Sequence, residues 1–88
     1  MKLIIAIIKD SDVLAVSDAL VDHQYRVTRI ASTGGFLRRG NVTLLIGVDE
    51  DALEDIFRII KENCAPPEAG QHKATIFVLP AEDFVQVG

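Results

Sequence analysis

The sequence has a single cysteine, two histidines and no tryptophan among its 88 residues. Cys64 alone can form neither a disulfide within the chain nor a thiolate metal site, and this scarcity of cysteine fits a reducing compartment. Basic residues are outnumbered by acidic ones, which leaves a net charge of −4. Because a phosphate backbone would meet mostly like charge, the composition argues against general binding to nucleic acid or to a membrane surface.

Long hydrophobic runs are also absent. Residues 3–8 are apolar and follow Lys2, but the run is far too short to span a bilayer and shorter than a usual signal-peptide core. No small-residue cleavage pattern follows it, and the charged residues 9–12 come next. The run is therefore interpreted as a buried strand, and we expect a cytoplasmic protein without membrane insertion.

Apolar residues nevertheless make up 49% of the chain. A chain of 88 residues is near the lower end of the sizes that bury a core of their own, so we expect one domain over residues 1–88. Such a small domain cannot bury all of this apolar surface. The composition therefore predicts an oligomer.

The order of predicted elements is βαββαβ. This order is typical of the α+β ferredoxin-like fold, in which two helices cover one face of a four-stranded antiparallel sheet. The predicted strands carry apolar residues at both odd and even positions, so the side of the sheet away from the helices must also be covered. The sheet of another subunit is the simplest candidate. The predicted strands are residues 3–8, 25–32, 41–48 and 74–79. The first predicted helix follows candidate caps at Asp10, Ser11 and Asp12 and ends at about residue 23. The second follows acidic caps at 49–51, with Asp51 and Glu54 at capping-box spacing, and ends at about Cys64.

The segment 25–48 carries four arginines and no acidic residue. If Ser32 lies opposite Asn41, alternation along the strands puts Arg26, Thr28, Asn41 and Gly47 together on the side away from the helices. An arginine there can bind a phosphate through two parallel hydrogen bonds, and a glycine opposite it leaves space for a ligand. Arg26 could instead form a salt bridge between subunits, and Gly47 could be a bulge or a packing contact.

The tip of this hairpin, residues 33–40, is rich in glycine. Successive backbone N–H groups at residues 33–35 can form an anion-binding nest, although glycines alone also make flexible turns. Phe36 and Leu37 could cover the face of a purine base or could contact another subunit. The segment is not a Walker loop, because no G-K-[ST] motif follows.

Several blocks of the sequence together resemble one known family, the cyclic-di-AMP receptor proteins of the PII-like superfamily. These are small, cytoplasmic, homotrimeric signal-binding proteins of bacteria with a ferredoxin-like fold. The matching blocks are K-L-I-I-A-I at 2–7, S-D-A-L at 17–20, R-V-T-R-I-A-S-T-G-G-F-L-R-x-G-N at 26–41, I-G-V at 46–48, I-I-K-E-N-C at 59–64 and A-T-I-F-V-L-P at 74–80.

The resemblance implies a sensor that binds cyclic-di-AMP in clefts between subunits and relays its state to an unknown downstream protein. It implies no chemistry on the ligand and no cofactor. The loop at 65–73 is shorter than is usual in the family, so this chain could bind another nucleotide, bind more weakly or signal differently. The residues that match the family's ligand contacts are Arg26, Thr28, Gly35, Phe36, Leu37, Asn41 and Gly47.

Three other functions stay open at this point. A PII-like regulator would bind ATP or ADP, and a protein-only adaptor would bind no nucleotide. An acyl-phosphate hydrolase could use Arg26 and Asn41, but no base is evident near them, because His23 and His72 are far apart in sequence. The carboxylates at 49–55 are interpreted as a helix start, so neither a catalytic residue nor a metal ligand is predicted.

Overall fold

The computed structural model of the chain describes residues 1–30, 40–66, 74–82 and 87. Within these ranges the chain forms four strands, two α-helices and one 3₁₀ turn. The elements are β1 (Lys2–Lys9), α1 (Val13–Asp22), β2 (Val27–Ile30), β3 (Asn41–Val48), the 3₁₀ helix (Glu50–Ala52), α2 (Leu53–Asn63) and β4 (Ala74–Pro80).

The four strands form one sheet in the order β2-β3-β1-β4, and every neighbouring pair is antiparallel. The strands β1 and β3, each of which precedes a helix in the sequence, therefore occupy the centre. This arrangement confirms the predicted α+β ferredoxin-like fold with βαββαβ order.

Both helices pack on one side of the sheet, because alternate strand residues and one face of each helix join a single core. In β3, Val42, Leu44, Ile46 and Val48 are buried, as the alternation predicts. Cys64 is also buried, which agrees with its interpretation as a core residue. The helix residues of this core are Val13, Val16, Leu20, Ile56, Ile59 and Ile60, and its β1 residues are Ile4, Ala6 and Ile8.

The pairing of β2 with β3 has the predicted register. Thr28 lies opposite Leu45 and Ile30 lies opposite Thr43. Since side chains alternate between the two sides of a strand, this register determines which hairpin residues face the helices and which face away. In the described part of the chain β2 begins only at Val27, so the predicted strand residue Arg26 precedes its first ladder pair.

The side of the sheet opposite the helices carries a continuous apolar surface, here called the open face. It contains Leu3, Ile5, Ile7 and Leu45, which are half-buried. At its β4 edge, Phe77 is 51% exposed and Leu79 is 44% exposed. A contiguous apolar surface of this kind is unusual on a soluble monomer and is typical of an interaction surface.

The chain leaves α1 through a tight turn that precedes β2. The N–H of Tyr25 donates to the carbonyl of Leu20 at 3.0 Å, and the N–H of Gln24 donates to that of Val21 at 2.8 Å. These two bonds define a Schellman motif, whose left-handed position is usually glycine. Here Gln24 occupies it with φ of 68°, so the α1–β2 connection has a fixed length and direction.

The predicted side-chain caps of both helices are wrong. Neither α1 nor α2 has a side-chain cap hydrogen bond, and a 3₁₀ turn replaces the predicted capping box before α2. Asp12 is instead only 7% exposed, and its Oδ1 accepts the N–H of Ala65 at 3.2 Å. This carboxylate therefore joins the start of α1 to the end of α2.

Among the described residues, no helix is long and apolar enough to cross a membrane.

Strand β4 extends one residue beyond the prediction and includes Pro80, which pairs with Lys2. Proline is tolerated there because β4 is an edge strand.

We predict that two neighbouring residues of α1 respond very differently to truncation. Leu20 is completely buried, so Leu20→Ala should lower the free energy of unfolding by about 2–5 kcal/mol. Val21 is 59% exposed, so Val21→Ala should change it by less than about 0.5 kcal/mol. Urea unfolding followed by circular dichroism at one fixed protein concentration measures both; equal losses would contradict the placement of the core.

Candidate functional site

An open groove lies where the start of β2, the end of β3 and the start of α2 meet. Its volume is about 490 Å³. Two of the residues predicted to bind a ligand, Arg26 and Gly47, line this groove together. Its other lining residues that bear on function are Tyr25, Asp49, Asp51 and Asp55.

Arg26 is exposed, and it makes no ion pair with any residue that the structure describes. Two other described arginines are paired. Arg29 lies 3.7 Å from the carboxylate of Asp10, and Arg58 pairs with Asp55. Arg26 is thus a cation available for an external anion.

Gly47 leaves an open position on β3. The β1–β3 pairing passes through it without interruption, with Leu3 opposite, so it is not a bulge. A Cβ atom built at this position meets no atom of the described residues within 4 Å. The described part of the chain therefore leaves space here for a molecule outside the chain.

Thr28 and Asn41 share the open side of the sheet with Gly47, as the register predicts. Thr28 is exposed, and Asn41 is half-buried at the first residue of β3. However, the six-residue step from Asn41 to Gly47 spans about 20 Å along an extended strand. Thr28, Asn41 and Gly47 therefore lie on one side of the sheet, as predicted, and form a stripe along it rather than a single cluster.

The remaining predicted site residues, Gly35, Phe36 and Leu37, lie outside the described residues. The stripe ends at Asn41, the first residue of β3, which Gly40 precedes in the chain. The assignment of all seven residues to a ligand stays a prediction.

A polar network that sequence reasoning missed forms one wall of the groove. The hydroxyl of Tyr25 donates to Oδ2 of Asp55 at 2.7 Å. Arg58 donates to Oδ1 of the same carboxylate, and its guanidinium also lies 3.9 Å from Glu62. The spacing of Asp55, Arg58 and Glu62 on α2 is readable from the sequence, but nothing local pairs Asp55 with a tyrosine 30 residues earlier.

This network shifts the acidities of its members. The hydrogen bond from Tyr25, followed by that from Arg58, lowers the pKa of Asp55 below its ordinary value. The same bond, together with burial and the charge of Asp55, raises the pKa of Tyr25. At neutral pH the network therefore consists of a neutral phenol, a carboxylate and a guanidinium.

Among the residues that the structure describes, no cluster of three or more His, Cys, Asp or Glu side chains could hold a metal ion. His23 is exposed at the end of α1, where its Nδ1 lies 2.8 Å from the carbonyl oxygen of Ala19. This position agrees with its interpretation as a solvated surface residue. His72 lies outside the described residues.

Residues 1–69 match the protein family described as "Cyclic-di-AMP receptor". The chain belongs to this cyclic-di-AMP receptor family. All seven predicted ligand residues fall inside the matched region, and the match ends within the connection between α2 and β4. This is the connection that the sequence singles out as unusually short for the receptor family.

A solved structure has a similar fold. The chain is similar to a protein from Pediococcus pentosaceus ATCC 25745 that is described as functionally unknown. The two are 35% identical over 98% of this chain and 96% of that chain, with a TM-score of 0.80. The fold that the two proteins share therefore covers nearly all of this chain, beyond the residues that the family model matches.

We predict that the Tyr25–Asp55 hydrogen bond stabilises the fold in a pH-dependent way. Because the folded pKa of Asp55 is lowered, its contribution is present above the unfolded pKa of about 4 and is lost as the pH falls through the folded value. Tyr25→Phe should therefore destabilise the protein at pH 6, and the difference from wild type should shrink toward pH 3. Urea unfolding across this range measures it; a difference that grows in acid would contradict the assignment.

Proposed function

We propose that this protein is a non-catalytic sensor that binds cyclic-di-AMP in clefts between the subunits of a homotrimer. Its membership of the cyclic-di-AMP receptor family supports a nucleotide ligand and a signalling role. The ligand residues are those predicted from the sequence: Thr28, Asn41 and Gly47 lie on the sheet and Arg26 lies just before β2, while Gly35, Phe36 and Leu37 belong to the predicted hairpin tip.

The observation that carries this proposal is the pair formed by Arg26 and Gly47. Arg26 presents a guanidinium without an ion-pair partner among the described residues, and Gly47 leaves one position of the adjacent strand β3 without a side chain. A guanidinium can hold a phosphate through two hydrogen bonds, and a bare strand allows a flat group to approach the backbone. Phosphates joined to planar bases satisfy both requirements.

The length of the stripe supports a site built from more than one copy of the chain. Polar groups spread over about 20 Å of strand cannot all contact one phosphate. A ligand with two phosphates and two bases reaches several of them, and a neighbouring copy can supply the other wall of the cleft. A small inorganic anion is too short to contact several groups of the stripe at once.

The open face is the surface through which we propose that the copies associate. It carries half-buried aliphatic residues across β1 and β3, and exposed Phe77 and Leu79 on β4. Association would bury this apolar surface, at a gain of roughly 25 cal/mol for each Å² removed from water. Trimeric association would also bring the site residues of one copy to the edge of the next.

The proposed output is a change in docking to a downstream protein in the cytoplasm. Ligand binding without chemistry can act only by favouring one state of the receptor over another.

We predict that the wild-type protein binds cyclic-di-AMP more tightly than cyclic-di-GMP or ATP in titration calorimetry. Arg26→Ala should weaken binding by at least about tenfold, since it removes charge-assisted hydrogen bonds. Arg29→Ala is the matched control: it removes an arginine of the same hairpin that is paired with Asp10, and its effect should be small. Gly47→Ala should also weaken binding without lowering the monomer's stability, because its Cβ meets nothing in the chain.

Absence of binding to all three nucleotides at near-millimolar concentration would refute the proposed ligand. Tighter binding of ATP would favour a PII-like regulator instead. If Arg26→Ala alters assembly rather than ligand affinity, the protein is an adaptor and the cation belongs to a subunit contact.

We predict that a charge on the open face dissociates the oligomer. Phe77→Glu should convert the trimer largely to monomer in light scattering coupled to gel filtration, because association would bury the new carboxylate. Leu14→Glu is the matched control, since Leu14 is 69% exposed on α1 and away from the open face. A wild-type protein that is monomeric at all concentrations would overturn the proposed assembly.

A further inference from the structure

The groove combines one cation with several anions. Arg26 shares its lining with the carboxylates of Asp49, Asp51 and Asp55. An arginine beside carboxylates ordinarily pairs with one of them, and such a pair would compete with an external phosphate for the guanidinium. Yet Arg26 makes no ion pair with any residue in the described part of the chain.

The Asp55 carboxylate is bound by donors other than Arg26. Its Oδ2 accepts the hydroxyl of Tyr25 at 2.7 Å, and its Oδ1 accepts from Arg58. Both oxygens are therefore already engaged by other donors. One donor comes from the segment just before β2 and the other from the next turn of α2, so the carboxylate is held from two sides.

We propose that Tyr25 and Arg58 sequester the Asp55 carboxylate and thereby keep Arg26 available for the anionic part of a ligand. This inference rests on the proposed function, because it assigns Arg26 to ligand binding. In this arrangement Tyr25, Asp55 and Arg58 are positioning residues that act on Arg26, and none of them needs to touch the ligand.

Tyr25 is suited to this role by its chemistry and by its place in the chain. It is a neutral donor, so it engages the carboxylate without adding a second cation that would itself attract the ligand. It also directly precedes Arg26 and is fixed at the end of the Schellman turn by the bond from its N–H to Leu20. The donor and the protected arginine therefore come from one rigid segment.

A purely structural role for the Tyr25–Asp55 bond makes a different prediction. If the bond only ties β2 to α2, breaking it from either side should weaken ligand binding, and breaking it twice should not help. If the bond restrains a competing carboxylate, removing the charge of that carboxylate should compensate for the loss of the tyrosine hydroxyl. A double-mutant cycle separates these cases.

The experiment is titration of cyclic-di-AMP into four proteins, with thermal unfolding as the check on folding. Tyr25→Phe should weaken binding about two- to fivefold, the range set by an exposed ion pair that now competes for Arg26. Asp55→Asn should bind as tightly as wild type or tighter. The double variant, Tyr25→Phe with Asp55→Asn, should recover the affinity of Asp55→Asn.

Asp49→Asn is the matched control, because it removes a carboxylate of the same groove that has no hydrogen bond to Tyr25. Its effect should be equal in the wild-type and Tyr25→Phe backgrounds. Unchanged affinity in Tyr25→Phe, or a double variant weaker than either single one, would overturn the inference while leaving cyclic-di-AMP binding intact.

A second measurement tests the inference without any ligand, so that it is decided even if no nucleotide binds. Carbon-detected NMR titration gives the pKa of the Asp55 carboxyl group. In the wild-type background Arg26→Gln should leave this pKa unchanged, because Arg26 does not pair with Asp55. In the Tyr25→Phe background Arg26→Gln should raise it, because the released carboxylate now pairs with Arg26; the same response in both backgrounds would refute sequestration.

Discussion

The antiparallel pairing of β2 with β3 is the constraint on which the site depends. Once Thr28 lies opposite Leu45, alternation assigns every residue of the hairpin stem to one side of the sheet. The helices cover one side only, so residues of one parity enter the core and residues of the other parity face whatever lies outside the chain. A slip by one residue would exchange these two sets completely.

The two arginines of the hairpin stem illustrate this partition. Arg29 has the parity of the helix side, where it meets Asp10 near the end of β1. Arg26 has the opposite parity and meets no such partner among the described residues. Two identical side chains three positions apart thus have different electrostatic environments, and only one of them is suited to an external anion. The acidic net charge of the protein makes this local difference more important, since the whole molecule repels an anion at long range.

The fold could be predicted from the sequence because its determinants are local. Apolar periodicity predicts the four strands and two helices. The hairpin register rests on the assumption that Ser32 lies opposite Asn41, and the observed β2–β3 ladder agrees with it. The buried set in β3 follows from the wholly apolar alternate positions of that strand. The stripe from Asn41 to Gly47 shows the limit of the same reasoning: parity gives the side of a residue correctly, but distance along the strand must be counted separately.

The parts of the site that could not be predicted depend on how distant elements meet. Tyr25 and Asp55 are 30 residues apart, and their contact requires α2 to lie across the start of β2 at one particular angle and height. The carboxylate of Asp12 similarly bonds a backbone group 53 residues away instead of capping its own helix. Local capping rules assume that a polar side chain bonds to the nearest backbone N–H groups of its own helix. Tertiary packing can bring a distant backbone N–H group within reach of that side chain instead.

The left-handed conformation of Gln24 limits how the length of the α1–β2 connection can change among related proteins. The Schellman bonds leave no slack between the last turn of α1 and the first ladder pair of β2. An insertion of one residue there would place Tyr25 where Arg26 now stands, and a deletion of one residue would place Val27 there. Tolerated changes of length between these two elements should therefore come in pairs of residues, which preserve the side of the sheet that each residue faces.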